Sequence, residues 1–150
     1  MTRREPEVHV DDESHRDVPV ELIRRAVRLV LASEGRDDVD VSVAFLDDPD
    51  MRRLNQEYLA RDRTTDVIAF ALPDADGSTL GDVYLGWEQA ARQAEELGVT
   101  MQEELARLAI HGTLHVLGHD HPEGPEREQS EMFVLQERLL SQLLAEPATS

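Results

Sequence analysis

The sequence predicts an α+β fold: a small mixed β-sheet of about four strands packed with five or so helices. Three observations predict it. Segments in which apolar and polar residues alternate every second position are interleaved, in mixed order, with segments of helical period. The chain has 150 residues, 40% of them apolar, which suits one two-layer core. No internal repeat, low-complexity tract or linker divides it, so residues 1–150 read as a single domain.

Val8 to Asp12 is a short strand candidate. After Asp17 and Pro19, the residues Leu22, Ile23, Ala26, Val27, Val30 and Leu31 recur at helical spacing and mark a helix that covers one sheet face. Val39, Val41, Val43 and Phe45 alternate with Asp40, Ser42 and Ala44 as in a half-buried strand. Asp48-Pro49 opens a helix carrying Met51, Leu54 and Tyr58, because proline is tolerated in a first helical turn. Two further strands are expected at Asp66 to Phe70 and Leu80 to Gly86, with a loose turn over Leu72-Pro73-Asp74-Ala75-Asp76-Gly77. Trp87 to Leu97 reads as a helix with Ala90, Ala94 and Leu97 on one side and Gly98 as its C-terminal glycine. From about Met101 to Leu117, Leu105, Leu108, Ala109 and Val116 occupy one side while Ile110, Leu114 and Leu117 occupy another. Apolar residues on so much of the circumference predict a helix buried in the centre. A last helix, roughly Glu126 to Leu144, carries Met132, Leu135, Leu139 and Leu143.

Composition limits the chemistry. The formal charge is −17 and all 15 basic residues are arginine, so the surface as a whole repels polyanions and nonspecific coating of nucleic acid is not expected. The absence of cysteine leaves His, Asp and Glu as the strong metal ligands. The first residues lack an apolar leader, and no run approaches the ~18 apolar residues of a membrane span, which makes the cytoplasm the expected location.

Four of the six histidines fall in His111-Gly112-Thr113-Leu114-His115-Val116-Leu117-Gly118-His119-Asp120-His121. Residues four apart on a helix differ by about 40° in azimuth and about 6 Å in height, so His111 and His115 share a face and can chelate one ion. His119 on a continued helix would lie about 12 Å from His111 along the axis, beyond the reach of a common metal. Gly118 ends the helix and lets the chain reverse, so that His121 or His119 supplies a third imidazole. Three neutral imidazoles leave zinc with its full charge and an open position, where a water has its pKa lowered to about 7. That is the pattern of a catalytic site, since structural zinc sites usually close with a fourth protein ligand. The general base that follows the first histidine in His-Glu-x-x-His proteases is replaced here by Gly112. Asp120 is a candidate for orienting an imidazole and Asp82 for assisting a water, although a turn residue accounts for Asp120 as well. Gly112 costs roughly 1 kcal/mol in a helix, so a close approach of backbone, substrate or packing partner is expected there.

The eleven-residue run matches the His-Gly-x-Leu-His-hydrophobic-x-Gly-x-Asp-His signature of the YbeY family. Leu54-Asn55-Gln56-Glu57-Tyr58, then Asp62, Thr65-Asp66-Val67-Ile68 and Phe70, resembles a second block of that family. Gly81-Asp82-Val83-Tyr84-Leu85 is similar to its Gly-Asp-Ile-x-Ile strand, and Gln93-Ala94 and Met132 also fall where the family has them, so the resemblance runs from about Val41 to Leu143. It implies a single-strand-specific endoribonuclease with one Zn2+ per chain, active in maturing the 3′ end of 16S rRNA and in ribosome quality control. It also implies metal ligands His111, His115 and His121, with His119 standing where the family usually has Tyr. The implied partners are RNA, the small ribosomal subunit and its proteins or an assembly GTPase, with no membrane or DNA. Two departures stand out. Leu59 occupies the place of an arginine held to support cleavage, and Arg61 and Arg63 are candidates to replace it. Ala69 and Ala71 stand where the family has Ser and Pro.

The leading expectation is hydrolysis of an RNA phosphodiester at zinc, with Arg52, Arg53, Arg61 and Arg63 as a local positive rim. The alternative is a ribosome-associated assembly or binding factor in which the zinc site persists and catalysis is weak or lost. An amide or peptide hydrolase is disfavoured by the missing Glu after His111.

Overall fold

A computed structural model describes residues 4–59, 65–119 and 130–146. Along the chain lie β1 (Val8–Val10), α1 (Val20–Ser33), β2 (Val39–Leu46), α2 (Asp48–Leu59), β3 (Val67–Pro73), β4 (Thr79–Gly86), α3 (Trp87–Leu97), α4 (Met101–Val116) and α5 (Glu131–Ala145). The strands form one sheet in the order β1-β2-β4-β3, with β1, β2 and β4 parallel and β3 antiparallel at the edge. Among the described residues this is the α+β arrangement of four strands and five helices that the patterning predicts.

The register follows from the side-chain alternation. In β2, Val39, Val41, Val43 and Phe45 are buried while Asp40, Ser42 and Ala44 are only half-buried. A slip of one residue would exchange the two sets, and at roughly 1.5–3 kcal/mol for each large apolar side chain taken out of water, that outcome is strongly disfavoured. On this face α1 buries Ile23, Ala26, Val27, Val30 and Leu31.

Helix α4 is the central element and touches β3, β4, α1, α3 and α5. Its buried residues include Leu105, Leu108, Ala109, Ile110, Leu114 and Val116, which fills the circumference as expected. Two glycines let it lie close to the sheet. A Cβ on Gly112 would stand 2.6 Å from Val83 Cγ1 and 3.0 Å from Val67 Cγ1, and one on Gly81 would stand 2.6 Å from Val116 Cγ1. Packing therefore supplies the reason for a glycine inside α4.

Three boundaries differ from the sequence expectation by two residues or more. β1 ends at Val10, although the Asp11 N–H still donates to the Val43 carbonyl at 2.9 Å. β3 continues through Leu72 and Pro73, which shortens the expected loose turn; proline is tolerated as the last residue of an edge strand. The turn itself closes through Asp74 N–H to the Ser78 carbonyl at 2.8 Å, with Gly77 at φ 91°. α5 begins at Glu131, later than the expected Glu126, where the Ser130 hydroxyl accepts from the Phe133 N–H at 3.1 Å and caps it; residues 126–129 lie outside the described residues. Among the described residues no helix is long and apolar enough to cross a membrane.

Candidate functional site

The C-terminal half of α4 carries His111, which is buried, and His115, which is half-buried. Their Nε2 atoms face each other at 3.1 Å. Each ring is oriented from its other nitrogen. His111 Nδ1 lies 2.6 Å from Gln136 Oε1 on α5, and His115 Nδ1 lies 3.0 Å from the carbonyl oxygen of His119. An amide oxygen and a backbone carbonyl only accept, so both rings donate from Nδ1 and direct the Nε2 lone pair into the space between them. Two such lone pairs repel unless a cation or a shared proton lies there. Two zinc–nitrogen bonds of about 2.0–2.1 Å at the tetrahedral angle separate their nitrogens by roughly 3.3 Å, close to the observed spacing. The two imidazoles therefore fit a zinc ion.

The end of α4 explains the second of these contacts. The His119 N–H donates to the Leu114 carbonyl at 3.0 Å and the Gly118 N–H to the His115 carbonyl at 3.0 Å, with Gly118 at φ 96°. This is a Schellman termination, which requires a left-handed residue and so favours glycine. It turns the His119 carbonyl back over His115. The His119 ring is turned to Glu34 at the end of α1, where its Nε2 meets Oε1. His119 thus reaches the pair through its backbone and not its imidazole.

Beside His111 lies a cleft of about 370 Å³ between α3, α4 and α5, lined among others by Asp66, Gln93, Glu104, Arg107, Gln136 and Glu137. Arg107 donates from Nε to Glu137 at 3.0 Å and from Nη1 to the buried Glu104. Burial opposes the charge on Arg107, but its hydrogen bonds to Glu137 and Glu104 outweigh that and raise its pKa. Glu104 also accepts from Gln93 Nε2 at 2.7 Å.

Of the residues singled out in the sequence, the structure brings His111 and His115 together. His121, Asp120, Arg61 and Arg63 lie outside the described residues. Among the described residues no group of three His, Asp or Glu is placed to hold a metal. Asp82 lies between Gly81 and Val83, which face α4, so strand alternation puts its side chain on the opposite face of the sheet. Arg53 is ion-paired with Asp50, which weakens the expected positive rim on α2. Gln136 and Glu137 went unnoticed in the sequence. A readable signal existed: Gln136 follows Met132 and precedes Leu139, Leu140 and Leu143 on the buried stripe of α5, and a polar side chain in such a stripe needs a partner.

Residues 7–144 match the family model described as Endoribonuclease YbeY. An Endoribonuclease YbeY from Carboxydothermus hydrogenoformans is 42% identical over 144 residues, covering 95% of this chain and 95% of the relative. Another from Aquifex aeolicus is 40% identical over 116 residues, covering 76% of this chain and 77% of the relative. Among solved structures, the solution structure of TM1509 from Thermotoga maritima is similar with a TM-score of 0.58 at 25% identity, covering 91% of this chain and 88% of that one.

Proposed function

The chain belongs to the Endoribonuclease YbeY family, and from that premise we propose that it cleaves single-stranded RNA at a zinc ion held by His111, His115 and His121, in maturing the 3′ end of small-subunit rRNA. The observation that supports the site is the opposed pair of Nε2 atoms at 3.1 Å, each ring already turned by an acceptor at Nδ1. When bound, zinc supplies Lewis-acid polarisation of a phosphate oxygen and brings the pKa of a water toward about 7. The residues do the rest. Neutral imidazoles leave the cation its full charge, which carboxylate ligands would reduce. Burial of His111 against α5 keeps water from one side of the site, which strengthens electrostatic interactions there. Asp120 is proposed to orient one ligand and Arg61 to offset phosphate charge. Residues 1–150 act as one domain, and the cytoplasm and the small ribosomal subunit, with its proteins or an assembly GTPase, are the proposed setting and partners.

The test joins metal analysis of the purified protein to cleavage of single-stranded rRNA fragments. Wild type is expected to hold one zinc and to cut, and His115→Ala to lose zinc and fall to background cleavage. Leu59→Arg is expected to cut faster than wild type if phosphate contact at that position limits the rate. Zinc-loaded wild type that cuts no faster than His115→Ala would defeat the nuclease reading and leave a ribosome-associated binding factor.

A further inference from the structure

We infer that Gln136 is a positioning residue for His111, and that Glu137 and Arg107 fix which end of its amide faces the ring. The inference rests on the zinc reading for its functional meaning.

A glutamine amide has two ends of nearly equal shape, one that accepts and one that donates, and its neighbours decide which way it lies. Gln136 Nε2 donates to Glu137 Oε2 at 3.0 Å. A carboxylate only accepts, so Nε2 must take that side and Oε1 is left 2.6 Å from His111 Nδ1. Glu137 is itself held by Arg107, which donates from Nε at 3.0 Å and from Nη2 at 3.3 Å. Arg107 is fixed in turn by Glu104, whose carboxylate also accepts from Gln93. The series runs from α3 through α4 to α5 and ends on the imidazole.

Its consequence is a single tautomer. With Oε1 against Nδ1, His111 carries a proton there and turns Nε2 toward His115, available to a cation or a proton shared between the rings. If the amide turned over, Nε2 of Gln136 would meet Nδ1 and favour the other tautomer, with a proton at the position that must bind metal. Acceptors that orient ligand imidazoles raise their basicity and fix their geometry, and losing one typically weakens metal binding about 10- to 100-fold. A merely structural role predicts something else: Gln136 would satisfy Glu137 in a buried corner, and its loss would lower stability without moving the tautomer.

The experiment uses the full chain. Nitrogen-15 NMR of the metal-free wild type reads the His111 tautomer directly, and Nδ1–H is expected. Gln136→Met keeps the side chain's length but removes the acceptor. It is expected to stay folded by circular dichroism, to lose the Nδ1–H preference, and to bind zinc about 10- to 100-fold more weakly in competition with a chromogenic chelator. Glu137→Gln, which frees the Gln136 amide to turn, is expected to shift both readouts the same way. The inference is overturned if His111 of metal-free wild type carries no proton on Nδ1, or if Gln136→Met retains the wild-type tautomer and zinc affinity. A wild type that takes up no zinc defeats the zinc reading instead, and the metal-free tautomers of wild type and Gln136→Met then decide the positioning role alone.

Discussion

Glu104 is the one buried carboxylate among the described residues. Its side chain is 2% exposed, and the carboxylate is met by Arg107 Nη1 and Gln93 Nε2. Removing one partner of a buried ion pair leaves an uncompensated charge, which costs about 3–5 kcal/mol, whereas replacing both by apolar groups is often close to neutral. Arg107→Leu is therefore expected to lose about that much stability in urea denaturation, and Glu104→Leu/Arg107→Leu to lose clearly less than the single variant. If the double variant is no more stable than Arg107→Leu, the pair is not the source of the loss. The same residues show what a sequence reveals at this scale. His111 and His115 stand four apart on one helix, so their shared face follows from helix geometry alone. Gln136 meets His111 across 25 positions and two helices, and nothing local to either residue specifies that contact. The choice of His119 or His121 depended on how the chain leaves Gly118, and the described structure turns the His119 ring toward Glu34.

At the level of elements, α4 and β4 are held in place by the glycines between them. Alanine at position 112 would gain about 1 kcal/mol of helix propensity, yet its Cβ would lie 2.6 Å from Val83 Cγ1, closer than such atoms come in practice. Val83 is buried and branched at Cβ, so it has little freedom to move aside, and overpacking of this kind costs typically about 1–3 kcal/mol. Gly112→Ala is thus expected to destabilise by up to about 2 kcal/mol net and to displace α4 together with its two histidines, which would also weaken binding of the proposed zinc. Val83→Ala in the same background should show a favourable coupling of about 0.5–3 kcal/mol in a double-mutant cycle; additive losses would mean that the helix is not pressed against Val83. The existence and order of the elements were legible because one buried face imposes a period of two on β2 and nearly four on α1. Their ends were less so. Pro73 reads as a turn residue and is accepted in β3 only because that strand is an edge, a fact that belongs to the sheet order and not to the local sequence. The start of α5 likewise depends on Ser130 finding the Phe133 N–H.

For the whole molecule the decisive quantity is the charge of −17 set against a polyanionic substrate. Much of the positive charge is matched locally: Arg4 by Asp40, Arg36 by Asp38, Arg53 by Asp50, Arg92 by Asp48 and Arg107 by three glutamates. A protein that neutralises Z phosphates of a single strand shows a slope of about −0.7Z in a plot of log affinity against log salt. With these described arginines so engaged, they can offer few phosphate contacts, and screening the negative surface works against even that dependence. Fluorescence anisotropy with a labelled single-stranded RNA is therefore expected to give weak binding and a slope shallower than about −2. A slope of about −5 or steeper would reveal an extended basic track and remove the need for a partner to bring the RNA. The expected result has the opposite meaning: an enzyme that repels its substrate at long range must receive it already placed, which is the part the proposed small-subunit partner would play, while the acidic surface would reject RNA that arrives any other way.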